Sequence, residues 1–365
     1  MNNKLFMDIH VLQTVPPSCI NRDDTGSPKS ALYGGVKRAR VSSQSWKKAM
    51  REMFKDTVPQ ENRALRTKNL IAMVARELEI LGYGDEESRT QAAHEVLEMA
   101  GVKIKVDKKT SKPVREALFF LSFAQAKALA EFYVSNELAS TDKPDAATKK
   151  EAQRLITDTP GVDLALFGRM VAEKPELNYD ASAQVAHAIS THAVATEFDY
   201  FTAVDDFSDQ DHAGAGHIGT AEFNSSTLYR YATVALHDLY KSLGEDTAKT
   251  AKEFVRAFVC SMPTGKINSF ANHTLPNAVI ISMRADQPLN LVGAFEKPVR
   301  ASDEGFVIGS VKKLMKHSEE VKNDFAGDDR STFAVGAILK GYKETVSLES
   351  ALEAVETEVA SFFKE

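Results

Sequence analysis

Two hydrophobic periods share this chain, and together they exclude an all-helical or an all-strand fold. Leu5, Met7, Ile9 and Val11 alternate with mostly polar neighbours, so residues 4–12 read as a strand. Phe223, Ser225, Thr227, Tyr229, Tyr231 and Thr233 repeat the two-residue period on one face of another. Between them, Leu65, Leu70, Ile71, Val74, Leu78 and Leu81 follow helical spacing until Gly82-Tyr83-Gly84 stops it, and a second helical stretch runs through His94, Val96 and Leu97. This order predicts an α+β fold whose antiparallel-rich sheet carries a helical insertion at about 60–158.

Other segments fill in the expectation. Residues 13–41 read as a long loop holding Pro16-Pro17 and Gly34-Gly35, and long ordered loops are usually functional. The insertion contains a lysine-rich stretch from Lys103 to Arg115 and a polar linker near Thr141–Thr148, and Pro160-Gly161 ends it. Val162 to Phe167 reads as a strand, 182–192 as a short helix, Glu197–Val204 as a strand and 245–260 as a helix. Ala278–Met283 reads as a strand. Leu348, Leu352, Val355 and Val359 mark an amphipathic helix over Ser347 to Phe363.

The charge pattern points to a partner. Formal net charge is −6, yet between Thr25 and Arg51 stand Lys29, Lys37, Arg38, Arg40, Lys47, Lys48 and Arg51 with no acidic residue. A one-sign block inside an acidic chain asks for a polyanion. Gly34-Gly35 could let the backbone approach a ligand closely. Ser42-Ser43-Gln44-Ser45 reads as a helix start, whose N–H groups and positive dipole end suit a phosphate. In the helix that follows, Trp46, Ala49, Met50 and Met53 form one apolar stripe, read as core. Lys47, Lys48, Arg51 and Lys55 lie off it. A second basic face, Lys149, Lys150 and Arg154, lies on a helix late in the insertion and is a candidate for non-specific DNA contact.

Chemistry-bearing motifs are sparse. Gly214 to Gly219 lacks the strand-then-helix context of a nucleotide loop and reads as a hairpin tip. His187 with His192, and His212 with His217, are five apart, a poor spacing for zinc on a helix. Asn21-Arg22-Asp23-Asp24 could hold magnesium at a phosphodiester or form an Asx-type turn; the turn is favoured. Gly168-Arg169-Met170 can grip a phosphate and wedge a base, although a core methionine is the commoner use. Tyr200-Phe201 serves equally as core or as a stacking platform. No nucleophilic triad is visible, no cofactor is implied, and the expectation is a protein that is not an enzyme. Two cysteines, no apolar run approaching about 18 residues and no signal-peptide core lead to the expectation of a reducing, cytoplasmic setting without a membrane.

Several stretches together resemble a known family. They are His10-Val11-Leu12, Pro17 to Asp24, Gly34 to Arg40, Ser42 to Ser45, Gly161 to Met170, Ala186 to His192, Phe201 to Asp206 and Phe223 to Tyr231. They are similar to the backbone subunit of Cascade, the type I-E CRISPR surveillance complex (CasC, the seventh Cas family). The resemblance implies a modified RNA-recognition-motif, ferredoxin-like palm. This palm would take 1–59, 159–194 and 227–365, with helical fingers at 60–158 and a long β-hairpin thumb at 195–226. It implies a scaffold that binds CRISPR RNA, polymerises with other copies of itself, joins other Cascade subunits and presents the guide to a target DNA strand. Arg22, Lys29, Ser42, Gln44, Lys47 and Arg51 would touch the guide backbone, with Arg169 and Met170 at its kink and Phe201 at the thumb. Lys37, Arg38, Arg40 and Lys48 join this RNA-binding set through the basic block. The rival readings are a metal-dependent RNA endonuclease using Asp23 or Asp24, and a standalone single-strand RNA-binding protein.

Overall fold

A computed structural model of the chain describes residues 4–106, 113–114, 117–140, 144–203 and 217–364. The chain divides into two compact units. One comprises Met1–Met53, Val185–Thr233 and Phe254–Glu358; the other comprises Phe54–Gln184, Val234–Glu253 and Val359–Glu365.

The first unit is built on a sheet. Strand β1 spans Phe6–Ser18, β2 Ser30–Tyr33 and β3 Val36–Val41. Along the sheet the order is Ser331–Val335, Ala278–Arg284, β1, His217–Ala235, Ala188–Ser190, β3, β2. β1 runs antiparallel to Ala278–Arg284 with Ile9 opposite Ile281, and Glu197–Ala203 pairs antiparallel with the long strand, Phe201 opposite Gly219. Apolar clusters cover both faces. Leu12, Tyr229 and Tyr231 face Val311, Leu314 and Met315 of the helix Val307–Val321. Val15, Leu228, Ala39 and Val41 pack with Trp46 of helix α1, Ser43–Thr57. Burial on both faces explains why the polar residues that alternate along β1 do not reach solvent.

Those residues are satisfied internally, as buried polar groups must be. Asp8 accepts from Tyr231 Oη at 2.8 Å and from the Leu289 N–H at 2.8 Å. His10 Nδ1 lies 2.9 Å from Tyr229 Oη, and burial holds this imidazole neutral, pushing it down to about 3. Gln13 donates to the Thr274 carbonyl at 2.7 Å and accepts from Arg230.

The second unit is mainly helical. Its core joins Leu70, Ile71, Val74 and Leu78 with Val96 and Leu97, with Leu129 and Tyr133, and with Ala152 and Ile156. Four of its helices start on a side-chain cap: Asn69 on Ala72 N–H, Asp85 on Ser88 N–H, Asp145 on Thr148 N–H, and a full capping box between Ser122 and Gln125.

Three local expectations are corrected. Residues 161–167 form a helix, not a strand. Their apolar run is buried all round, so alternation carried no information, and Asp163 in the first turn accepts from Ala64 N–H at 2.8 Å. Residues 182–192 supply strands Ala183–Val185 and Ala188–Ser190 rather than a helix. Ile189 is opposite Arg40 on one side and Tyr229 on the other, so ladder pairing overrides the helical propensity of the alanines. Residues 13–41 are not one loop: β1 continues to Ser18, and β2 and β3 form a hairpin in which Tyr33 is opposite Val36. Gly34 and Gly35 are its two-residue turn, with φ of 59° and 76°. They shape the backbone rather than admit a ligand. The Gly214–Gly219 tip lies outside the described residues up to 216.

Two predictions follow from this packing. A Cβ at Gly34 would meet the Glu296 carbonyl oxygen at 1.7 Å, whereas one at Gly35 meets nothing within 4 Å. Gly35→Ala should therefore cost about 1–2 kcal/mol for its left-handed backbone, and Gly34→Ala distinctly more, read from denaturant midpoints. Burial also pushes the Asp8 carboxyl up to about 6 against 3.8, despite its hydrogen bonds from Leu289 and Tyr231. A folded-state value above the unfolded one gives stability that is full below about pH 4 and lost as pH rises through 6. The loss is about 3 kcal/mol. Asp8→Asn should flatten the stability profile across that window; an unchanged slope would refute the assignment.

Candidate nucleic-acid interface

Of the basic block, Lys48 stands in one wall of a cleft in the first unit. Ser42 Oγ accepts from the Ser45 N–H at 3.3 Å and starts α1, while Asn21 Oδ1 accepts from the Ser42 N–H at 2.8 Å. Asn21 thereby ties the preceding loop to the helix start. Asn21–Gly26 of that loop, Ser45, Lys48, Ala49 and Glu52 of α1, and Met262–Lys266 line a cleft of about 780 Å³. Arg22, Gln44 and Lys48 are exposed, and Lys29, Lys47 and Arg51 half-buried. Burial lowers the proton affinity of the Lys47 ammonium. Of the expected stripe of α1, Trp46 and Met50 are fully buried while Ala49 and Met53 are half-buried; Phe54, outside that stripe, is fully buried.

Beside the cleft, Arg40 donates to the Ser30 carbonyl at 3.1 Å and to His187 Nδ1 at 3.1 Å. Since a guanidinium only donates, this contact fixes His187 as the acceptor. Burial first, then Arg40 and Lys29, hold the His187 ring below its ordinary value. Lys29 and Arg40 are thus a local pair of cations beside a neutral His187. Lys37 is exposed and donates to Thr196 Oγ1 at 2.9 Å.

Asp23 closes a turn. Its Oδ1 accepts from Thr25 N–H at 3.0 Å, Thr25 Oγ1 at 2.7 Å and Ser27 N–H at 3.0 Å, and Arg22 bridges to Pro28 across the loop. These bonds, that of Thr25 foremost, keep the carboxyl below the usual range. Among the described residues, no group of three or more His, Cys, Asp or Glu could hold a metal ion. His192 is structural: its Nε2 accepts from Thr227 N–H at 3.1 Å and its ring stacks on Phe306 at 3.6 Å.

Two arginines assigned to RNA are instead framework. Arg38 is wholly buried and donates to the carbonyls of Tyr33 (3.1 Å), Ser190 (2.9 Å), Phe295 (2.7 Å) and Glu296 (3.3 Å). Arg169, in the second unit, is buried and donates to the carbonyls of Leu177 (2.8 Å), Phe120 (2.9 Å) and Ile156 (3.0 Å), with its guanidinium 4.5 Å from the Phe119 ring. Neither presents a donor fork to solvent. Ser42, buried beneath its own helix start, acts as a cap.

Met170, next to Arg169, is 87% exposed, so it is not a core methionine. Tyr200 and Phe201 are 64% and 45% exposed and are not core either. The Phe201 ring covers Gly219 across the hairpin, where an added Cβ would lie 2.3 Å from it. Lys149 and Lys150 are exposed on the helix Ala146–Leu155, while the Arg154 guanidinium is paired with Glu151 at 2.6 Å and with Asp158. Arg154 is therefore a weaker candidate for DNA than its two neighbours.

Sequence reasoning missed Thr264, Gly265 and Lys266. The available signal was Pro263 and Gly265 punctuating the chain beside a lysine, in a stretch with no periodicity.

Residues 7–358 match the CT1975-like family of Cas proteins. A chain of a solved "CRISPR RNA-guided surveillance complex, pre-nicking" is similar to this one with TM-score 0.83 at 32% identity, over 98% of this chain and 100% of that chain. A chain of a second "CRISPR RNA-guided surveillance complex" gives TM-score 0.72 at 28% identity, over 98% of this chain and 99% of that one. No curated protein matches.

The environments of Arg169 and Met170 predict opposite outcomes for adjacent substitutions. Arg169→Ala removes the buried donor fork that three carbonyls share and should destabilise the protein by about 1–3 kcal/mol or more in chemical unfolding. Met170→Ala should change stability by less than about 0.5 kcal/mol.

Proposed function

The chain belongs to the CT1975-like Cas family, and from that membership we propose that it is the guide-holding backbone subunit of a type I-E Cascade. In this reading copies of the chain assemble along a CRISPR RNA with other Cascade subunits, and the guide pairs with target DNA in segments. The observation that carries it is the cleft at the start of α1, where Arg22 and Lys48 flank a helix N-terminus. Such a site suits phosphates of any sequence. A subunit that leaves sequence reading to base pairing needs phosphate clamps and wedges rather than base-edge readers.

The sheet unit would act as the RNA-recognition-motif-like palm, the helical segment at 60–158 as fingers and the Glu197–Ala203 hairpin as thumb. Exposed Met170 would wedge beside a displaced nucleotide with exposed Phe201 near the kink. Lys149 and Lys150 would meet target DNA. The role is a scaffold rather than an enzyme: Asp23 supports this, because its carboxylate is engaged by Thr25 and Ser27. Two free cysteines fit the reducing environment of the cytoplasm. Among the described residues no helix is long and apolar enough to cross a membrane.

The test is co-purification followed by sequencing of the bound RNA. Wild type should retain guide RNA containing repeat-derived ends, and Arg22→Glu with Lys48→Glu should lose it without altering the circular-dichroism melt, because both side chains are exposed. RNA retained by the double variant would remove the cleft from the interface. Magnesium-dependent cleavage of the bound RNA that Asp23→Ala abolishes would replace the scaffold with an endonuclease.

A further inference from the structure

We infer that Lys266 is a guide-phosphate contact, held in place by a strained segment that forms the other wall of the cleft. The inference rests on the proposed RNA-binding role of that cleft and adds a residue remote in sequence from the basic block. Lys266 lines the same cleft as Arg22 and Lys48, together with Thr264 and Gly265.

The segment is pinned at several points. Met262 and Pro263 are buried, and Met262 Sδ accepts from the Thr274 N–H at 3.5 Å. Gly265 lies so close to the preceding loop that a Cβ there would sit 2.3 Å from the Ile20 carbonyl oxygen and 2.9 Å from that of Cys19. The Phe270 ring packs 5.9 Å from that of Phe223 on the long strand. Lys266 and Ala271, at the two ends of the turn Ile267–Phe270, have φ of 48° and 46°.

A left-handed backbone costs a side-chain-bearing residue about 1–2 kcal/mol. Neither position is glycine or asparagine, which would relieve that cost. Strain of this kind persists where surrounding structure enforces it and clusters at ligand clamps. At Lys266 it fixes where the ammonium stem leaves the backbone. Electrostatics place the same ammonium near the first wall: the Cys19 thiol, raised mainly by burial, is drawn back by Lys266 and then by Arg22. The cleft also carries Asp23, Asp24 and Glu52, so Lys266 is the third cation against three carboxylates, and without it the lining would be acidic by one charge.

The test uses the full chain and a fluorescein-labelled single-stranded RNA, with affinity measured across a salt series. Lys266→Asn removes the charge while asparagine tolerates the left-handed backbone. The slope of log affinity against log salt should fall by about 0.7, the value for one single-strand phosphate contact. The deficit of the variant should therefore shrink about five-fold for each ten-fold rise in salt. Lys266→Arg should keep the wild-type slope. An unchanged slope in Lys266→Asn overturns the inference while leaving the cleft's role intact. So does a loss of affinity with unchanged slope, which would assign Lys266 to loop structure alone. Failure of wild type to bind the RNA with any salt dependence overturns the underlying reading instead.

Discussion

The seating of helix α1 depends on one buried cation. Arg230 is completely enclosed, its guanidinium 3.7 Å from the Trp46 ring and 4.6 Å from that of Phe258. It donates to Gln13 and to the Phe258 carbonyl. β1, the long central strand, α1 and the segment around Phe258 thus meet on a single side chain. Burial pulls the guanidinium down to about 9, which leaves it charged at neutral pH. A planar cation between two aromatic faces loses less on dehydration than an ammonium would. With Trp46 fixed by this stack, the opposite side of α1 is free to present Lys48 and its neighbours.

The same chemistry recurs through the molecule. Arg38, Arg169, Arg230 and Arg284 are all buried and all donate to backbone carbonyls; Arg284 also pairs with Asp329 at 2.6 Å and Asp286 at 2.7 Å. Residues that look like nucleic-acid contacts in a list of cations are therefore of two kinds. One kind fastens loops to the sheet, and the other remains at the surface. Only burial and partner geometry separate them, since both have the same local sequence appearance: Arg38 stands between Lys37 and Ala39, within a run that reads as uniformly basic.

How much was legible follows from this. The caps Asn69, Asp85 and Ser122 emerged only in the structure, whereas the α+β class, the strands at 4–12 and 278–283 and the helices at 70–80, 246–260 and 348–362 were legible in the sequence. The cap and apolar stripe of α1 were equally plain. Arg38 and Arg169 were misassigned because their acceptors lie far along the chain; Arg38 meets Phe295 and Arg169 meets Phe120. The helix at 161–167 was misread because an all-buried apolar run has no period. Lys266 was overlooked because its place in the cleft is set by Gly265 meeting the Ile20 carbonyl, a contact with no sequence pattern. The Asx-type turn at Asp23, in contrast, is a local motif, and the local residues sufficed.

The glycine turn of the β2–β3 hairpin has a consequence for spacing. Side chains on a strand alternate faces at about 3.3 Å per residue, and here the turn is locked by Gly34 against the Glu296 carbonyl. A slip of one residue would exchange Lys37 with Arg38. The enclosed cage of four carbonyls would then receive a single ammonium, and the guanidinium would be left in water. The cage therefore acts as a phase lock. It fixes which residues of β3 face inward, so Lys37, one step from Arg38, is held on the opposite face, where its ammonium donates to Thr196 Oγ1.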